Sequence, residues 1–279
     1  MRLFDSHTHL QFPEFDEVRD TVLARAREAG VEAMLVVGTD VESSEKALAL
    51  ADSDPGLYAV VGCHPHVARR FDAGALDRLR KLASHPRAVA IGEIGLDFYR
   101  NLSPRDAQFQ ALRQQLALAA EAGLPVIVHS RDADEETYPV LAEWARALGP
   151  SRSNRPVGVM HYFSGGPELA HRYVELGFLV SIHTSVTYPN AEQRRAVAVA
   201  VPLDSLVVET DCPYGAPQSR RGQRGEPADI AEAVAKIAEL RGITAEEVAT
   251  RTSVNAWRLV GLSPATGETV GPRRGAWRK

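Results

Sequence analysis

The chain has 279 residues, 44% of them hydrophobic and 24% charged, and a formal net charge of -4. That length and composition exclude a disordered or fibrous chain, and the acidic balance excludes nucleic-acid binding by bulk basicity while allowing a local positive field of the kind bound metal ions supply. No apolar run reaches membrane-spanning length, Met1-Arg2-Leu3-Phe4-Asp5 does not read as a secretory signal, and Cys63 and Cys212 make no disulfide framework, so a cytoplasmic protein without membrane partners is expected.

In chain order, Leu3–His9 is the first strand candidate. A helix follows with Val18, Val22 and Ala26 on its inner face and Gly30 at its end. Strands are then expected at Ala33–Gly38, Leu57–Cys63 and Ala88–Glu93. Ser103-Pro104-Arg105-Asp106 supplies an N-cap, a proline at the first helical position and an acid in the first turn, ahead of a face of Phe109, Leu112, Leu116 and Ala119 and a stop at Gly123. Strands at Pro125–His129, Val157–His161, Phe178–His183 and Leu206–Asp211 complete the series, and Thr244 with Glu247 opens a last helix through Trp257. The strands are short and nearly all apolar, as strands covered on both faces are, and recur at the spacing of parallel βα units. Eight units without a ninth predict a closed (β/α)8 TIM barrel forming one domain over residues 1–262, with an open doubly wound sheet as the competing arrangement. Residues 263–279 are rich in Gly, Pro and Arg, lack periodicity and are expected to be a loose tail.

The chemistry-bearing residues collect where these strands end. His7 and His9, two apart on extended chain, point to one face and can grip one ion. Glu93, His129, His161 and Asp211 end the fourth, fifth, sixth and eighth strands. Taken singly, each is more often a satisfied core or rim group than a ligand. Jointly they are not: seven of the nine histidines (His7, His9, His64, His66, His129, His161, His183) sit at strand exits, which a barrel gathers at the rim where such folds keep their active sites. Six ligands suffice for two divalent ions if one carboxylate bridges them, and the imidazoles favour Zn or Mn while the carboxylates keep Mg eligible.

These residues resemble the TatD-family metal-dependent deoxyribonucleases of the amidohydrolase superfamily. The match covers about residues 1 to 260 and is carried by Phe4-Asp5-Ser6-His7-Thr8-His9, Gly62-Cys63-His64-Pro65-His66, Gly92-Glu93-Ile94-Gly95-Leu96-Asp97, Pro125-Val126-Ile127-Val128-His129-Ser130, His161-Tyr162-Phe163-Ser164-Gly165, Glu209-Thr210-Asp211-Cys212-Pro213-Tyr214 and Val254-Asn255-Ala256. The resemblance implies one ion held by His7, His9, Glu93 and Asp211, and a second held by Glu93, His129 and His161. It also implies hydrolysis of DNA phosphodiester bonds, commonly as an exonuclease. Two positions depart from the family pattern. Ser181-Ile182-His183-Thr184 stands where relatives carry a small Ser-Gly pair, and Gly225 replaces an asparagine before Glu226-Pro227. The first suggests an added polar group, His183, in the substrate cleft.

A bridged ion pair activates water and clamps a phosphoryl or carbonyl oxygen, with Asp211 placed as ligand and general base. His64 and His66 are expected to contact a phosphate oxygen or protonate the departing 3′ oxygen, or else to shape their loop around Pro65. Arg221 and Arg224, with Arg220, Arg69 and Arg70, are expected to overhang the rim and meet phosphate oxygens. Tyr162, Tyr99 and Tyr214 could stack on a base or simply pack. Cys63 and Cys212 are not needed as ligands, and Asp97 reads as a loop cap. The expected activity is exonucleolytic cleavage of single-stranded or frayed DNA ends, since a narrow mouth suits a strand terminus. The alternative is metal-dependent amide, lactone or ester hydrolysis, including deacylation of aminoacyl-tRNA. Barrels of the superfamily that the chain resembles often bridge their ions with a carboxylated lysine; here the fourth strand offers Glu93 and none of these strand exits a lysine, which favours the nuclease.

Overall fold

A computed structural model describes residues 1–149 and 155–263. Eight parallel strands follow one another in space in chain order: β1 (Leu3–Thr8), β2 (Val31–Val37), β3 (Leu57–Val61), β4 (Ala88–Asp97), β5 (Val126–Arg131), β6 (Gly158–Met160), β7 (Phe178–His183) and β8 (Leu206–Glu209). Helices α1 (Arg19–Glu28), α2 (Val41–Ser53), α3 (Ala73–Ala83), α4 (Arg105–Ala122), α5 (Asp134–Leu148), α6 (Pro167–Glu175) and α7 (Glu192–Ala200) connect successive strands, and α8 (Ile230–Arg241) and α9 (Ala245–Val260) follow the last. The circle closes where the Asp211 N–H donates to His7 O (2.9 Å) and the His9 N–H to Cys212 O (2.8 Å). The expected TIM barrel is therefore the fold. Among the described residues no helix is long and apolar enough to cross a membrane.

Strand alternation divides the core into two layers. Phe4, Leu35, Val60, Ile127, Val159 and Val207 fill the barrel, while Val36, Ala59 and Val128 pack outward against Val22, Leu48 and Leu112 of the helices. The end of the barrel opposite the histidines is floored by α9. Trp257 meets Phe4 and Tyr58 edge-on (centroids 4.9 and 5.7 Å), and the Asn255 side-chain amide donates to Leu203 O and Leu206 O, pinning the start of β8. Of the expected inner faces of α1 and α4, Val22, Ala26, Leu112, Leu116 and Ala119 are buried and Val18 and Phe109 partly so, Gly123 ends α4 in a left-handed conformation, and Thr244 caps α9 through the Glu247 N–H.

Three expectations need correction. Glu93 and His129 do not end their strands: β4 runs on to Asp97 and β5 to Arg131, paired from Ile94–Val128 to Asp97–Arg131, so this edge of the barrel stands taller than its neighbours. The extension depends on close approach. A Cβ at Gly95, whose φ is +148°, would lie 1.8 Å from His129 O, so glycine there lets the two strands pair beside the site. Second, Asp211 lies beyond β8 at φ +55°, turned out of the strand rather than ending it. Third, Ser103 does not cap α4. Its hydroxyl donates to His66 O (2.8 Å) and accepts from the Arg69 N–H (3.1 Å), tying the loop after β3 to the start of α4, while Pro104 occupies the cap position. Residues 264–279, expected to be a loose tail, lie outside the described residues.

Candidate metal centre

His7 and His9 leave β1 with their rings side by side, Nε2 to Nε2 at 3.3 Å. The tautomer of His9 follows from its surroundings: Nδ1–H donates to Val37 O (2.8 Å), so the Nε2 lone pair faces the cluster. Asp211 Oδ1 stands 3.4 Å from His9 Nε2 and 3.8 Å from His7 Nε2, and Glu93 Oε2 stands 3.5 Å from His7 Nε2 and 3.9 Å from His9 Nε2. A tetrahedral ion with ligand bonds of about 2.1 Å separates its donors by about 3.4 Å, so this set fits a divalent ion. His7 Nδ1 is buried without a hydrogen-bond partner, so the ring has its whole polar interaction toward the cluster.

The other oxygen of Glu93 faces a second set. Oε1 accepts from His129 Nδ1 (2.8 Å) and lies 3.4 Å from His64 Nε2 and 3.6 Å from His161 Nε2. His161 stacks on His7 (centroids 3.5 Å) and also reaches Asp211 Oδ1 at 3.7 Å, so it joins the two sets. His64 was expected among the catalytic residues rather than the ligands, and here it shares a cluster with Glu93 and His129. Its tautomer argues for a donor's role: Nδ1 accepts from the His66 N–H (3.1 Å), which leaves the proton on Nε2.

Outer carboxylates orient these rings. Asp97 is a loop cap, through Oδ1 to the Arg100 N–H (2.7 Å), and more: Oδ2 accepts from His66 Nε2 (2.7 Å) and from His129 Nε2 (3.2 Å). Glu209 was overlooked in the sequence. Oε2 lies 3.0 Å from His161 Nδ1 and Oε1 accepts the Tyr162 N–H (2.6 Å). The signal was available, because period-two alternation puts Glu209 and Asp211 on one side of the same short segment. Asp5, also buried, accepts from the Thr210 N–H and hydroxyl and from the His7 N–H, locking the ends of β1 and β8 together.

The electrostatics show what the cluster lacks. Burial works against charge on His161, yet Glu209, Glu93 and Asp211 hold its pKa up at about 10. Burial would raise the Glu93 and Asp211 carboxyls, but the surrounding imidazoles keep both well below the usual carboxylate range. The carboxylates thus draw positive charge into a buried site, a demand that suits divalent ions as well as protons. Burial, helped by the neighbouring His129 and His66 and opposed by Glu93, drives His64 down to about 4, so it is neutral near pH 7. It also lifts Cys63 to about 12 and Cys212 well above the usual thiol value, so both remain thiols.

Above the cluster lies a cleft of about 630 Å³, lined by His9, His64, His66, Glu93, His129, His161 and Asp211, by Phe12, Tyr162 and Tyr214, and by Arg100, Arg131 and Arg194. It brings together five of the six expected ligands with His64, His66 and Tyr162, while His7 lies fully buried behind them, stacked on His161. The remaining expected substrate contacts lie elsewhere. Arg224 is bound to Glu226 (3.1 Å) and Glu14 O (2.9 Å), and Arg221 covers the Tyr188 ring at 4.9 Å; Glu226, also gripped by Arg25 of α1, draws the loop's charge away from the mouth. His183 is buried beneath Tyr162 (centroids 3.9 Å), accepting from the Ser185 N–H and donating to Thr210 O (2.8 Å), so it props the end of β8 and does not line this cleft. The other departure has a steric basis: a Cβ at Gly225 would lie 2.6 Å from Tyr214 O.

Comparison with known proteins places this geometry in a family. The chain is 38% identical over 258 residues to YabD of Bacillus subtilis, described as an uncharacterized metal-dependent hydrolase, with 92% of this chain and 98% of YabD covered. It is 38% identical over 266 residues to the 3'-5' ssDNA/RNA exonuclease TatD of Erwinia tasmaniensis, covering 93% and 100% of the two chains. The crystal structure of YjjV, a TatD homolog from Escherichia coli, superposes with a TM-score of 0.85 at 34% identity over 92% of this chain and 97% of YjjV. The TatD related DNase family model matches residues 4–261, and the chain belongs to that family.

Proposed function

We propose that the chain is a two-metal phosphodiesterase that removes nucleotides from single-stranded DNA ends. One observation carries this reading: the two oxygens of the buried Glu93 carboxylate divide between two sets of imidazoles, Oε2 toward His7 and His9 and Oε1 toward His129, His64 and His161. Such a carboxylate is the bridge that a pair of ions needs. His7, His9, Glu93 and Asp211 would hold one ion, and Glu93, His129 and His161 the other. Zn, Mn and Mg all suit the mixed donor set, with the imidazoles favouring the first two.

Divalent ions here would supply a water of lowered pKa and electrostatic stabilisation of the phosphoryl oxygens. Asp211, ionised and turned into the cleft, takes the proton of the attacking water. His64 presents Nε2–H to a phosphate oxygen. His66, half-buried at the cleft wall and held by Asp97, stands where the departing 3′ oxygen can be met with a proton. The name of the Erwinia relative supports 3′→5′ polarity and single-stranded RNA as a further substrate.

The test is end-labelled single-stranded DNA incubated with metal-loaded protein, with Glu93→Ala as control. Stepwise release of nucleotides supports the proposal. Silence on DNA, with turnover on a lactone, amide or aminoacyl-tRNA panel, would transfer the same centre to the alternative chemistry.

A further inference from the structure

The walls of the cleft differ in kind, and the barrel's order sets them opposite one another. Phe12 follows β1 and Tyr214 follows β8, which are neighbours. Arg100 follows β4 and Arg131 ends β5, on the far side of the circle. The metal-binding side chains lie between. On the first side Phe12 stacks on His9 (centroids 4.6 Å, planes 9° apart) and Tyr214 stands edge-on to both, 53% exposed, forming an aromatic corner with an open face. The arginines of the loop after β8 are committed elsewhere, Arg220 and Arg224 to Asp229 and Glu226 and Arg221 to the Tyr188 ring, and Arg194, which also lines the cleft, lies over Tyr162 at 5.3 Å. On the second side the Arg131 guanidinium lies over the Tyr99 ring at 4.0 Å, leading out to solvent, and Asp97 fixes the Arg100 backbone. Among the described residues no carboxylate pairs with Arg100 or Arg131. Unpaired guanidinium groups at the rim of a cleft suit phosphate oxygens, and an open aromatic face suits a base.

We infer that the mouth is a directional track for a single strand: Phe12 and Tyr214 hold the base of the nucleotide being released, and Arg100 and Arg131 hold the phosphates of the strand that stays. The assignment follows from what each end needs. A terminal nucleoside brings a base and no further phosphate, which matches an aromatic corner whose neighbouring loop arginines, Arg220 and Arg224, are bound to carboxylates. The retained strand brings successive phosphates and must continue into solvent, which matches the exposed arginines. This rests on the phosphodiesterase reading but makes a separate claim about binding.

Length dependence tests it. KM is measured for a thymidine dinucleotide, which has no phosphate beyond the scissile one, and for a deoxythymidine decamer. In the wild type, KM falls with length. Replacing both arginines by alanine should raise KM for the decamer about tenfold or more and leave the dinucleotide unchanged. Tyr214→Ala should raise KM for both by about tenfold, the loss of one stacked base. Anisotropy of fluorescein-labelled decamer on Asp211→Asn protein gives a readout independent of turnover: the double arginine variant should lower the salt slope by about 1.4, from two lost phosphate contacts on a single strand. An unchanged slope, or equal KM effects of the arginines on both lengths, overturns the track. If the wild type cleaves no phosphodiester yet the slope still drops, the chemistry falls and the track stands.

Discussion

Glu209 and Tyr162 meet across the mouth of the barrel through a 2.6 Å hydrogen bond from backbone to carboxylate, and the same carboxylate stands 3.0 Å from His161 Nδ1. One buried group thus sets the turn after β6, where Tyr162 adopts φ +46°, and biases the ring that joins the two halves of the centre. Glu209→Gln keeps an acceptor for the Tyr162 N–H but removes the charge beside His161. Metal affinity should fall about 10- to 100-fold, as it does when a partner of a ligating histidine is lost, with little change in thermal stability. Glu209→Ala loses both contacts and should also cost about 1–3 kcal/mol of stability. Metal titration and thermal melts on the two variants separate these effects; wild-type metal affinity in Glu209→Gln would show that charge is not the active feature.

The division of Glu93 between two imidazole sets makes metal content a direct readout. Elemental analysis should find two ions per wild-type chain, one in His129→Ala and almost none in Glu93→Ala. Chelation should abolish turnover and lower Tm, because an ion bound only by the folded chain stabilises it by about 2.7 kcal/mol at a hundredfold excess over Kd. One ion in the wild type and one in His129→Ala would remove the second site.

The barrel was legible in the sequence because buried parallel strands are apolar on both faces and leave few alternatives; β7 coincides with its expected bounds, Phe178–His183. Among the candidate ligands, His9 and His161 stand out for a related reason, since a polar side chain directly after an apolar strand is conspicuous. Glu93 and His129 were picked out for partly the wrong reason. Gly-Glu-Ile-Gly-Leu-Asp looks like the end of a strand, and only the pairing with β5 shows that β4 continues through it. The arginines were misassigned because nothing local distinguishes a paired guanidinium from an unpaired one. Arg224 is neutralised by Glu226, another of whose partners, Arg25, lies 201 positions away, whereas among the described residues no carboxylate pairs with Arg100 or Arg131.

Trp257 provides a test of the floor that leaves the mouth alone. It lies at the opposite end of the barrel from the histidines, edge-on to Phe4 and Tyr58. Trp257→Ala should cost about 3–5 kcal/mol, through lost burial and the cavity left behind. Ion stoichiometry measured below the new Tm should remain at the wild-type value. A loss of metal at temperatures where the variant is folded would mean that floor and mouth are coupled.

The pH response of the centre follows from His161. Its folded pKa, about 10, is raised above the ordinary 6.5 by Glu209, Glu93 and Asp211. The proton therefore stabilises the ion-free fold fully below about 6.5, and that contribution is lost as pH rises through about 10. Burial of Asp5, whose pKa is raised to about 8, adds a loss of the same sign between its ordinary 3.8 and that value. On the proposed two-metal reading, a divalent ion takes the proton's place among the carboxylates, and ligation through His161 displaces that proton. Affinity should rise with pH up to about 10, by about tenfold per unit for one displaced proton. The Tm of chelated protein should fall from pH 7 to 10 while that of loaded protein changes less, so that the gap between them widens. Melting curves of both forms across this range check the sign, and a gap that stays constant or narrows would mean that the ions do not replace the His161 proton.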